Sequence, residues 1–185
     1  MQNVLRKYKL IDQCTLELDT TKTDFVNRLQ SHVDTSDLGY FSDAFDVFSS
    51  SKNEYKGQVD YQGFKLKRRR RFFDSKMNMA IATGRFRQAS DTLMIEMEIS
   101  GFNTGLKLFY IMISIFYVLF LLGFLVSVGT DDAPLFLAPF ILLHAAFMFG
   151  IPFFIMRRSV KRLKYDLERE FHFIATKTAL APIRF

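Results

Sequence analysis

Apolar and polar positions follow three rhythms along this chain. In residues 11–18 (IDQCTLEL) they alternate, with Cys14, Leu16 and Leu18 on one face and Thr15 and Glu17 on the other. That period of two predicts a half-buried strand. Thr21 follows, with Asp24 three residues on, a pattern that caps a helix start. Phe25, Val26, Leu29 and Val33 then recur on one stripe, so a helix is expected over Lys22–Val33. Residues 34–53 fit two patterns. Phe41, Phe45 and Phe48 suit a helix, whereas Phe41, Phe45 and Val47 suit alternation. Four strands are expected next: Glu54–Asp60, Phe64–Arg71, Lys76–Arg87 and a last one through Leu93, Ile95, Met97 and Ile99. Short turns at 61–63 and 89–91 separate two of the pairs and favour antiparallel neighbours. In the third strand Met77, Met79, Ile81 and Thr83 oppose Asn78, Ala80 and Ala82, and Gly84 suggests a bulge.

The second rhythm is no rhythm at all. From Leu108 to Met156 the only formal charges are Asp131 and Asp132. Two stretches, 108–128 and 134–156, are apolar on every side. At about 1.5 Å per residue each reaches roughly 30 Å, the thickness of a bilayer's hydrocarbon core. Residues 129–133 (GTDDA) are too few to join anything but antiparallel neighbours. They hold no Lys or Arg, whereas Arg157, Arg158, Lys161, Arg162, Lys164 and Arg169 follow the second stretch. By the positive-inside rule, the loop faces out and both termini face the cytosol. A register that sets Gly123 against Ala138 also sets Ser114 against Phe147 and Tyr117 against His144. The small residues would then allow close helix approach. Pro139 and Pro152 each remove a backbone donor from the second span.

The third rhythm begins at Arg157. Val160, Leu163, Leu167, Phe171 and Ile174 recur every three or four residues, predicting an amphipathic helix over 157–178. It would pack on the sheet or on another subunit. Asp166, Glu168 and Glu170 argue against a helix lying flat on anionic lipid. The expected fold is therefore α+β. An antiparallel β-meander with one packed helix (1–104) leads into a two-helix transmembrane hairpin (105–156). A cytosolic amphipathic helix and tail (157–185) follow.

Composition adds little to this. The chain has 185 residues, 22 Phe and no Trp, so Tyr, Phe, Lys and Arg would supply any interfacial anchoring. One cysteine, Cys14, excludes an intrachain disulfide. His32, His144 and His172 show no metal-ligand spacing, so neither a metal nor a cofactor is expected. The first residues, MQNVLRKYKLIDQ, have no apolar run of the signal-peptide kind.

Two features carry candidate chemistry. Lys65, Lys67, Arg68, Arg69, Arg70 and Arg71 form a dense basic run on a strand. Their charges fall on both faces, so the end of the strand is expected to project beyond the sheet. Close to a membrane such a run suits anionic lipid head groups. A specific anionic ligand or protein partner is the next reading, and nucleic acid is disfavoured. His144 and Tyr117 form an expected intramembrane polar pair. An ionisable residue at that depth is a candidate relay or gate, but one His without a carboxylate makes a poor relay. A neutral His bonded to Tyr117 fits better. No nucleophile elbow, zinc-protease, P-loop or dinucleotide motif occurs, so no catalytic residue is assigned. Glu96 with Glu98, and Asp43 with Asp46, read as solvated faces.

Phe64, Leu66 and Arg68 make an F-x-φ-x-R strand. Ala82 and Gly84 lie on the next, and Leu93, Ile95 and Ile99 on the last before the apolar stretch. Over 57–110 this pattern resembles a group of uncharacterised small bacterial inner-membrane proteins with a β-rich N-terminal domain and two C-terminal transmembrane helices. The four-arginine run departs from that pattern. The resemblance implies a bacterial inner membrane and no particular activity.

Taken together, these features favour a non-enzymatic binding or scaffold protein anchored at the inner face of the membrane. The alternatives are a ligand-triggered homo-oligomeric effector or channel, and a membrane enzyme acting on lipid. Ser114, Tyr117, Ser127 and His144 are the polar residues an oligomeric pore would need.

Overall fold

A computed structural model describes residues 2–38, 51–69, 79–102, 104–129 and 138–179. The fold is α+β, a six-stranded mixed sheet with helices, two of them long and apolar. Along the chain come α1 (Gln2–Lys7), β1 (Ile11–Leu18), α2 (Lys22–His32), β2 (Val33–Thr35), β3 (Tyr55–Val59) and β4 (Gly63–Arg68). Then come β5 (Ile81–Ala89), β6 (Thr92–Ser100), α3 (Thr104–Gly129) and α4 (Ala138–Ala179). The chain divides into two compact units. One comprises Met1–Gly101 with Met156–Phe185, the other Phe102–Ile155. The described segment from 157 to 179 belongs to the same unit as the sheet.

In the first unit the strand order is β1-β6-β5-β4-β3-β2. Neighbours are antiparallel except β2 and β3, which run parallel, so the sheet is mixed rather than wholly antiparallel. A three-residue strand is too short to show alternation, and the helix–strand link through Val33 hides it. The α2 start is as the capping pattern implies. The Asp24 amide donates to Thr21 Oγ1 at 3.3 Å, and the Thr21 hydroxyl donates to Asp24 Oδ2 at 2.8 Å.

Two helices cover one face of the sheet, not one. Phe25, Val26 and Leu29 come from α2. Val160, Leu163, Leu167, Phe171 and Ile174 come from the end of α4, and all sit in a single core with Leu66, Leu93, Ile95 and Ile99. Burying each such side chain contributes about 1.5–3 kcal/mol. Phe171 lies at the centre, with ring centroids 5.4 Å from both Phe25 and Phe64.

The face of β5 that enters this core is the one that carries the small residues. Ala80, Ala82 and Phe86 are buried, whereas Thr83 is exposed and Ile81 only half-buried. The reason is space. The Phe64 ring lies over Gly84, where an added Cβ would come within 2.4 Å of it. Small residues face inward because the aromatic cluster fills the room above them. Gly84 keeps an unbroken register with Phe64 and Met97, so it serves close packing rather than a bulge. Gly57 is different. With φ +147 and the Lys65 carbonyl 2.0 Å from an added Cβ, it permits the approach of β3 to β4. The expected extensions over 70–78, and the region 39–50, lie outside the described residues.

In the second unit α3 and the start of α4 face each other through Tyr110, Tyr117, Phe149 and their neighbours. The Tyr110 hydroxyl donates to the Phe149 carbonyl at 3.0 Å, and the two rings stack at 5.8 Å. Gly123 and Gly150 play no part in a close approach, since an added Cβ at either would meet nothing within 4 Å. Ser114 and Phe147 are likewise exposed. The register that pairs Tyr117 with His144 thus coexists with a rotation that turns these residues outward. Pro139 falls in the first turn of α4, where no backbone donor is needed, and Pro152 sits inside the helix. Both helices are long and apolar enough to cross a membrane. In this unit many of their apolar side chains are exposed, Val126 at 70% and Leu142 at 71%.

Candidate functional site

The basic strand is held largely by the protein itself. Along β4, Phe64, Leu66 and Arg68 point to the helix-covered face, and Lys65 and Lys67 to the other. Arg68 sits beside Tyr55 in the register and reaches Asp166 on α4 at 2.5 Å and Glu54 at 3.5 Å. Arg69 pairs with Asp34 of β2. Lys67 is buried on the opposite face, directly across from buried Lys56. Lys65 alone of the four described is exposed. Arg70 and Arg71 lie outside the described residues. Hydrogen bonds from Ser51 and Asn53, followed by the Arg69 charge, hold the Asp34 carboxyl below the usual carboxylate range.

A second polar seam runs along β1, where the expected strand face meets α4. Lys164 Nζ donates to Asp12 Oδ2 at 3.0 Å, while Asp12 Oδ1 accepts from the Gln13 amide at 2.9 Å. The Cys14 thiol donates to Glu168 Oε1 at 3.1 Å. Burial, then the bond to Glu168, pushes the Cys14 thiol up to about 11. Such a thiol is protonated at neutral pH and a poor nucleophile. Sequence reasoning missed this seam. Its signal was available, because alternation puts Asp12 and Cys14 on the face that the 160–174 stripe must cover. Ser159 belongs to the same surface. Buried on α4, its Oγ accepts from the Met79 and Ala80 amides at 2.8 and 2.9 Å.

Glu96 and Glu98 lie on the face opposite the two helices. Glu96 is 3.8 Å from Arg87, and Glu98 is 3.7 Å from Arg6 and accepts from Gln13 at 3.0 Å. Asp43 and Asp46 are outside the described residues. Among the described residues no three His, Cys, Asp or Glu side chains come together as a metal site.

In the second unit Tyr117 Oη lies 2.6 Å from His144 Nδ1. Tyr117 is half-buried and His144 exposed. The remaining polar group of note is the start of the α4 segment in the first unit. Arg157, Arg158 and Lys161 are exposed and Arg162 half-buried.

No family model, curated protein or solved structure matches this chain.

Proposed function

We propose that this chain is a non-enzymatic, membrane-anchored binding or scaffold protein at the inner face of a bacterial membrane. In this reading α3 and the start of α4 form a transmembrane hairpin with both termini in the cytosol. The sheet unit presents the binding surface. The observation that carries the reading is the exposure of two long apolar helices in a chain whose sheet unit has a closed core of its own. Exposed apolar area of that extent on a protein needs lipid or partners to cover it. The Lys/Arg excess after the second apolar stretch, against none between the stretches, supports the orientation.

Alkaline carbonate extraction of membranes expressing the full chain tests the anchoring. The protein should stay in the pellet, and release into the supernatant would refute it. A periplasm-active reporter fused after Asp131 tests the orientation. Activity is expected, and a reporter active only in the cytosol would reverse it.

A second reading has one observation in its favour. His144 and Ser114 are exposed on the hairpin, where hydrocarbon would be a poor solvent for both. An oligomeric effector would cover them at a pore or subunit contact. Native mass spectrometry from mild detergent separates the readings, since four or more copies favour the effector and a monomer or dimer favours the scaffold.

A further inference from the structure

Resting on the membrane reading above, we propose that Arg157, Arg158, Lys161 and Arg162 on α4, rather than the basic strand β4, form the docking surface for the phosphate head groups of anionic phospholipid. Three observations lead there. First, three of the four described cations of the basic run are committed within the protein. Arg68 is held by Asp166 and Glu54, Arg69 pairs with Asp34, and Lys67 is buried. Second, the four α4 cations have no hydrogen bond or ion pair among the described residues. By helix periodicity they occupy the arc opposite buried Met156, Ser159, Val160 and Leu163. Third, the acidic residues of the same helix, which in sequence argue against a lipid surface, are drawn toward the sheet. Asp166 meets Arg68, Glu168 meets Cys14, and Glu170 is half-buried. Four cations within six residues therefore face outward, with no carboxylate among them.

Their place in the chain selects the anion. Arg157 directly follows the apolar stretch that ends at Met156, so a spanning helix delivers these side chains to head-group depth. Guanidinium forks match phosphate oxygens two at a time, and clusters of this size beside a span attract anionic lipid. A nucleic-acid strand would need its cations spread along a groove with aromatic side chains between them. Here the charge is concentrated at one end, and exposed Tyr165 lies beyond it.

The test is lipid retention by the full chain, purified in mild detergent with added phosphatidylglycerol or phosphatidylcholine and read by native mass spectrometry. Wild type should retain phosphatidylglycerol preferentially. Joint substitution of Arg157→Gln, Arg158→Gln, Lys161→Gln and Arg162→Gln should lower that retention about tenfold or more. Lys65→Gln should leave it within about twofold. Because loss of flanking cations can impair insertion, Arg157→Lys with Arg158→Lys and Arg162→Lys provides a charge-preserving control that should keep most of the retention. Equal retention of the two lipids by wild type would overturn the proposal. So would an equal loss in Lys65→Gln, or displacement of phosphatidylglycerol by a single-stranded oligonucleotide at matched phosphate concentration. Carbonate extraction separates these outcomes from a failure of the membrane reading, because a chain that leaves the pellet refutes the anchoring whatever its lipid preference.

Discussion

The two units solve opposite solvation problems with one helix type. In the sheet unit α4 turns its stripe of Leu163, Leu167 and Phe171 inward and meets the strand residues with ion pairs along both flanks. In the other unit the same helix carries apolar side chains outward, with Phe140, Leu142 and Phe154 more than half exposed. The change comes at Met156, the last apolar residue before the arginine pair. It teaches that amphipathicity is a statement about surroundings. Where a protein core is the only apolar phase, the apolar residues form a stripe, and where apolar residues cover every side they call for a second apolar phase.

The comparison can be broken most sharply at Phe171. Phe171→Ala should destabilise the sheet unit by about 3–5 kcal/mol, since it empties the centre of the aromatic cluster. Leu142→Ala should change the same unfolding transition by less than about 0.5 kcal/mol. Urea unfolding in detergent followed by far-ultraviolet circular dichroism reads both, and equal effects would erase the distinction between the units.

Ser159→Ala comes next. It leaves the Met79 and Ala80 amides without their acceptor, and a cost of about 1–3 kcal/mol is expected in the same measurement. A change within error would mean that water replaces the hydroxyl.

His144→Phe should have a smaller effect. On the proposed membrane reading, where hydrogen bonds between helices average about 0.6 kcal/mol, the hairpin should weaken only slightly, and Tyr117→Phe should match it. A proton conductance present in the wild type and lost in His144→Phe would instead give the pair a transport role.

The smallest effect is chemical. With its pKa raised from 9.0 to about 11, Cys14 gives stability that is present below about pH 9 and lost as pH climbs through 11. At pH 8 the thiol should react with iodoacetamide at least about tenfold more slowly than a free cysteine. Glu168→Gln should speed the reaction. Alkylation followed by mass spectrometry reads the rate, and a normal rate in wild type would place Cys14 outside the seam with Glu168.

Legibility followed the range of the contacts. The alternation of 11–18, the cap at Thr21 and the tight turns between β3 and β4 and between β5 and β6 are local features, and each could be read from neighbouring residues. The parallel strand Val33–Thr35 and the short α1 are too brief to carry a period. Which face of β5 turns inward is not legible locally, because Ile81 and Met79 look like better core residues than Ala80 and Ala82. Only the Phe64 ring over Gly84 reveals that small side chains are required there. The basic run was legible as charge but not as structure. Nothing near Arg68 announces that one of its carboxylates lies 98 residues away, on the helix after both apolar stretches.

That distance has a consequence for synthesis. Phe25 leaves the ribosome early, but Phe171, against which it packs, is made only after α3 and the first part of α4. Until then Leu66, Leu93 and Ile95 lack the helix that covers them. The sheet cannot close its core cotranslationally before both apolar helices have emerged, so a nascent chain truncated anywhere before residue 160 should be a target for chaperones and proteases. Maturation of the sheet unit is thereby made the last event in the life of the growing chain, and an abandoned translation product would not accumulate in folded form.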